Sequence, residues 1–116
     1  MAQGVSEERI SQLQQMEQGI QVLMLQKQQL QLQLNELDNA LQELQKSSEQ
    51  PYKMVGGLLL AAEKKTLVEE LTSKKEIVTV RLNNLTEQEK ILGSKAETLK
   101  KNLLQSMSKE GNASGS

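Results

Sequence analysis

Two stretches of this chain repeat an apolar residue at alternating intervals of three and four, and that repeat restricts the fold more than any other feature. In the first stretch Leu13, Ile20, Lys27, Leu34 and Leu41 stand seven apart, and Met16, Leu23, Leu30, Leu37 and Leu44 each follow by three. In the second, Val68, Lys75, Leu82, Glu89, Ala96 and Leu103 alternate with Leu71, Val78, Leu85, Leu92, Leu99 and Ser106. Side chains at these a and d positions form a narrow seam on a helix, and the seam is buried only against another helix. Lys27, Lys75, Glu89 and Ser106 break the apolar rule. Gly19 and Gly93 weaken the helices by about 1 kcal/mol each against Ala.

The single proline, Pro51, separates the two stretches. The chain is therefore expected to hold a flexible start at 1–6, a helix at 7–47, a β-hairpin at 51–62, a helix at 66–107 and a disordered tail at 108–116, which is small and polar. Thr66 followed by Glu69 forms a capping-box pattern at the second helix entry. Folded back on each other, the helices pair a with d throughout when partner numbers add to 112, as in Leu44 with Val68 and Leu13 with Leu99. A slide by seven satisfies the heptads equally. Each helix spans roughly 60 Å.

The connector helps to choose between these registers. Tyr52-Lys53-Met54-Val55 and Leu58-Leu59-Leu60-Ala61 flank Gly56-Gly57, a pair suited to a two-residue primed turn. Val55 then faces Leu58 and Lys53 faces Leu60, adding to 113, one away from the helical register. A plain loop is the alternative for this stretch. A lone two-stranded hairpin this apolar is marginal in water and has open edges. Joining hairpins from several chains into a sheet or barrel is the simplest repair. The fold class is thus mostly alpha: a long antiparallel two-helix coiled coil joined by a β-hairpin that oligomerises into a sheet or barrel.

Composition narrows the chemistry. Aromatic content is 1%, with 20 Leu and 16 Gln among 116 residues, as suits a Leu-based helical seam rather than a globular core. There is no His and no Cys, which excludes histidine base chemistry, thiol nucleophiles, disulfides and His or Cys metal sites. The carboxylates lie on Lys-rich helix faces, so no enzyme activity, cofactor or metal is expected. A net charge of -1 gives no reason to expect nucleic acid or a membrane as partner. Met1 to Arg9 lacks the apolar run of a signal peptide, so the expected location is cytoplasmic and the glycosylation patterns at Asn84 and Asn112 are chance matches.

The stretch Tyr52-Lys53-Met54-Val55-Gly56-Gly57-Leu58-Leu59-Leu60, set between Gln-rich helices such as Gln12-Leu13-Gln14-Gln15 and Gln26-Lys27-Gln28-Gln29-Leu30, resembles the beta-type subunits of prefoldin. The similarity spans about residues 7 to 107. Ala61 and Ala62 depart from it, standing where the family often has a charged or β-branched residue. The single hairpin favours the beta type over the alpha type, which carries a second one.

The resemblance implies an ATP-independent holdase co-chaperone. It implies a hexamer of two alpha-type and four beta-type subunits built around a hairpin barrel. Coiled-coil tips would capture unfolded polypeptides and pass them to a group II chaperonin. On that basis Tyr52, Lys53, Met54, Val55, Gly56, Gly57, Leu58, Leu59 and Leu60 are the assembly candidates. Ile10, Leu13, Met16, Ile20, Leu99, Leu103, Leu104 and Met107 are the client-binding candidates, with Val5 and Leu92 beside them. Most of these last also fit the plain role of holding the coil together, and Ile10, Leu104 and Met107 lie off the seam. The competing functional reading is a structural coiled-coil adaptor that binds one folded partner. The two differ in whether the tips hold many unfolded chains or one specific surface.

Overall fold

The heptads, with no proline inside either stretch, produce two long helices in the computed structural model, which describes the backbone of residues 2–115 and the side chains of residues 7–108. The order is α1 (Ala2–Lys46), β1 (Tyr52–Val55), β2 (Leu58–Ala61) and α2 (Lys64–Gly115). The chain divides into two compact units. A hairpin unit comprises residues 27–84, and a terminal unit comprises residues 1–26 with 85–116.

Both helices are longer than the periodicity implies. α1 begins at Ala2 instead of residue 7, and α2 continues to Gly115 instead of ending at 107. The segments assigned to a flexible start and a disordered tail thus have helical backbone as far as those residues. Small polar residues favour disorder in isolation, but adding a residue to a helix already formed costs far less than starting one. The side chains of 1–6 and 109–116, Val5 included, lie outside the described residues.

Helix entry also differs. α2 starts at Lys64, so Thr66 lies inside its first turn rather than capping it. The reason lies in how the chain leaves the hairpin. The Ala62 amide donates to the Pro51 carbonyl at 3.1 Å, and Gln50 Nε2 donates to the Ala62 carbonyl at 2.8 Å. With Ala62 held, the next carbonyl, that of Glu63, accepts the first helical bond from the Leu67 amide at 3.0 Å. Glu63 therefore takes the cap position. At the other junction, Lys64 Nζ donates to the Ser47 carbonyl at 3.2 Å, satisfying an acceptor just past the end of α1. Lys46 in the last turn of α1 suits the negative end of its dipole.

The hairpin has the expected register: Tyr52 opposite Ala61, Lys53 opposite Leu60, Met54 opposite Leu59, Val55 opposite Leu58. Gly56 and Gly57 have φ of 55° and 82°, the left-handed pair that a type I′ turn requires. This backbone suits glycine because any Cβ is strained at such torsions, whatever space surrounds it.

Protection from solvent follows the seam in each unit. In the hairpin unit Leu30, Leu34, Leu37, Leu41 and Leu44 of α1 are half-buried, as are Val68, Leu71 and Leu82 of α2, and Val78 is buried. Lys75, an exception to the heptad, has its Nζ 2.7 Å from Asp38 Oδ1, so the charge leaves the seam for a partner on the other helix. In the terminal unit Leu13, Met16, Ile20 and Leu23 are half-buried, and Ala96 and Leu103 are buried. A Cβ added at Gly19 would stand 3.0 Å from Leu92 Cδ2, whereas one at Gly93 would meet nothing within 4 Å. Gly19 thus admits the Leu92 side chain, and Gly93 has no such duty. Gly93→Ala is expected to raise stability by about 0.5–1 kcal/mol, and Gly19→Ala to gain less or to lose, because Leu92 has to move. Thermal unfolding of the two variants side by side measures this; equal gains would show that Leu92 does not limit position 19.

Candidate functional site

The assembly candidates make both faces of the hairpin largely apolar. Tyr52, Met54, Val55, Leu58, Leu59 and Leu60 are all exposed, Met54 and Leu58 at 65%. Cross-strand partners share a face of a pleated ribbon. One face therefore carries Lys53, Val55, Leu58 and Leu60, and the other carries Tyr52, Met54, Leu59 and Ala61. A four-residue strand pair has no layer of its own to cover either face. Such a concentration of exposed Leu, Met, Val and Tyr marks an interaction surface rather than scattered exposure.

Lys53 is the polar member of this surface, and its Nζ lies 2.8 Å from Glu70 Oε2 on α2. That hydrogen bond, together with the charges of Lys53 and Lys74, holds the Glu70 carboxyl below the usual carboxylate range, against a smaller desolvation effect in the other direction. The pairing across 17 residues was missed because it depends on how the hairpin leans on α2. Leu67, only 8% exposed just before the seam residue Val68, is not marked by the repeat either, since it falls outside the a and d positions.

The client candidates all belong to the terminal unit. Leu13, Met16, Ile20 and Leu99 are half-buried along the seam, and Leu103 is 5% exposed. Ile10, Leu104 and Met107 are exposed. Val22, Met24, Leu25 and Ile91 add further exposed apolar side chains to this unit. Among the described residues no group of three or more acidic side chains is arranged to hold a metal. No helix of the described residues is long and apolar enough to cross a membrane. A shallow groove in the hairpin unit is lined by Leu37, Ile77 and Val78, with Glu36, Lys74 and Arg81 around it.

Two long helices joined by an exposed apolar hairpin define a class of helix–hairpin–helix coiled-coil proteins. Comparison with known proteins narrows that class. Residues 7–110 match the sequence profile described as prefoldin subunit. A prefoldin subunit beta of Archaeoglobus fulgidus is 39% identical over 95 residues, covering 79% of this chain and 82% of the relative. The corresponding protein of Thermococcus onnurineus is 41% identical over 92 residues, covering 78% of this chain and 79% of the relative. The crystal structure of the prefoldin beta subunit from Thermococcus strain KS-1 superposes with a TM-score of 0.82 at 35% identity, covering 86% of this chain and 90% of that one. The chain belongs to the prefoldin subunit family, on its beta side, and so to a family of chaperones.

Glu70 offers a direct check on the hairpin contact. A carboxyl with a depressed folded-state value contributes its pairing energy above the ordinary value and loses it as pH falls through the lowered one. The Glu70 carboxyl followed by NMR titration is expected to titrate below an ordinary glutamate, and to move back toward it in Lys53→Met. An unchanged midpoint in that variant would separate Glu70 from Lys53.

Proposed function

We propose that this chain is a holdase subunit that captures unfolded proteins at its coiled-coil tips and passes them to a group II chaperonin without ATP. It acts in the cytoplasm, in a hexamer with alpha-type subunits. The observation that carries the reading is the contrast within the terminal unit: seam residues are sheltered, while Ile10, Leu104 and Met107 stand exposed and off the seam. Flexible or branched apolar side chains at helix ends bind varied extended sequences loosely, and the Met thioether adapts to different partners. Such contacts are weak and numerous, as a chaperone that must release its client requires. Binding at several tips of one assembly multiplies them.

Tyr52 to Leu60 serve assembly in this reading. The apolar faces and open edges of the hairpin support that role, because burial between subunits removes both from water. Leu58→Asp with Leu60→Asp places two carboxylates in that interface and is expected to abolish the complex, since unpaired buried charge costs several kcal/mol. Native mass of the complex copurified with the tagged full chain reads the result, and an unchanged mass would sink the assembly role.

The tips are tested apart from assembly. Ile10→Ser, Leu104→Ser and Met107→Ser together are expected to leave native mass unchanged and to weaken suppression of client aggregation by about threefold or more, each loose, partly buried contact contributing roughly 0.3 kcal/mol or more. Undiminished suppression would remove the tip assignment. A stoichiometric complex with one folded protein, in place of varied unfolded clients, would replace the chaperone reading with the adaptor.

A further inference from the structure

We infer that Glu70 is a positioning residue for assembly: through Lys53 it fixes the lean of the hairpin on the base of α2, and so presents the strands to the next subunit in one orientation. The inference rests on the assembly role proposed above for the hairpin.

The hairpin's own bonds do not supply this constraint. The Ala62 amide and Gln50 side chain close the base of the hairpin on the Pro51 and Ala62 carbonyls, all within residues 50–62. Lys64 ties α2 to the Ser47 carbonyl, which joins the helical ends without touching a strand. Residues 47–51 on one side and 62–63 on the other carry no helix or strand. These two short links meet a ribbon of only four residues per strand. Such a ribbon can swing about its base unless a strand is held. Among the described residues, Lys53 to Glu70 is the ion pair that reaches from a strand to a helix.

Its placement suits the task. Lys53 is the second residue of β1 and lies opposite Leu60, so the pair grips the ribbon near its base and on the face that carries Val55, Leu58 and Leu60. Glu70 lies on α2 beside the seam residue Leu71, which the coiled coil holds in place. The charge therefore sits on the rigid element, and the flexible Lys reaches to it. Both side chains are about two-fifths exposed. A pair this wet adds little to the stability of one chain. It acts instead on the orientation of an apolar ribbon before association, where preorganisation lowers the cost of docking. Every copy of the chain in an assembly carries the pair, so small effects multiply.

The test uses the full chain, tagged and purified as its native complex, diluted and followed by single-particle mass measurement. Glu70→Lys and Lys53→Glu are each expected to raise the concentration at which the complex dissociates by about threefold or more, with helix content by circular dichroism unchanged. The exchanged pair, Lys53→Glu with Glu70→Lys, is expected to restore the original value. Restoration is the decisive reading, because a purely subunit-to-subunit contact of Lys53 or Glu70 would be reversed along with the swap and not regained. Single variants without effect, alongside a disrupted Leu58→Asp, Leu60→Asp control, would overturn the positioning role. A swap as weak as the singles would overturn it as well, and would assign the two charges to contacts with another chain. A control that still assembles would overturn the assembly role of the hairpin, and this inference with it.

Discussion

The structure depends on a seam two side chains wide. A heptad stripe buries a and d residues and leaves the other positions of each turn in water. The described residues follow this closely: shelter from solvent tracks Leu13 to Leu44 on α1 and Val68 to Leu103 on α2, and almost everything else is open. Among the described residues the buried side chains are Leu67, Val78, Ala96 and Leu103, with no polar or charged group among them. Most of the described surface is open, and off-seam apolar side chains such as Val22, Leu25 and Leu32 stand exposed on it.

That economy explains where the chain departs from its own repeat. Lys75 occupies a seam position, and Asp38 on the opposite helix draws its ammonium outward. Gly19 opens room for Leu92 to approach. Each departure is local and is met within a turn or so of helix. The hairpin is different, because nothing in its own unit covers its six apolar side chains. In the proposed reading its burial comes from neighbouring subunits, which fits a family whose members are named as subunits.

Much of this was legible in the residues. The heptads located both helices, and Gly56-Gly57 between two apolar runs set the strand register to the residue, because a type I′ turn leaves no freedom in pairing. Three things were not legible. The entry of α2 depends on the Ala62 carbonyl accepting from Gln50 and the Ala62 amide donating to Pro51, twelve and eleven positions back along the chain, which a local capping pattern at Thr66 does not contain. The Lys53–Glu70 and Lys75–Asp38 pairs require the geometry of the folded hairpin unit before either partner can be chosen. The helix extents are the third: α1 from Ala2 and α2 to Gly115 run past the periodic stretches, because a helix extends readily from turns already formed. For the client candidates, periodicity separated Ile10, Leu104 and Met107 from the seam, and their exposure follows that division.

The composition that makes the seam also leaves the molecule with a single natural chromophore of its kind. Tyr52 is the one aromatic residue in the chain, and it stands exposed at the start of β1. Near-ultraviolet absorbance and emission of the subunit therefore originate at the hairpin alone, with no tryptophan to mask them. Any event that covers or uncovers that ribbon changes the optical signal without a label, while events along the helices leave it dark.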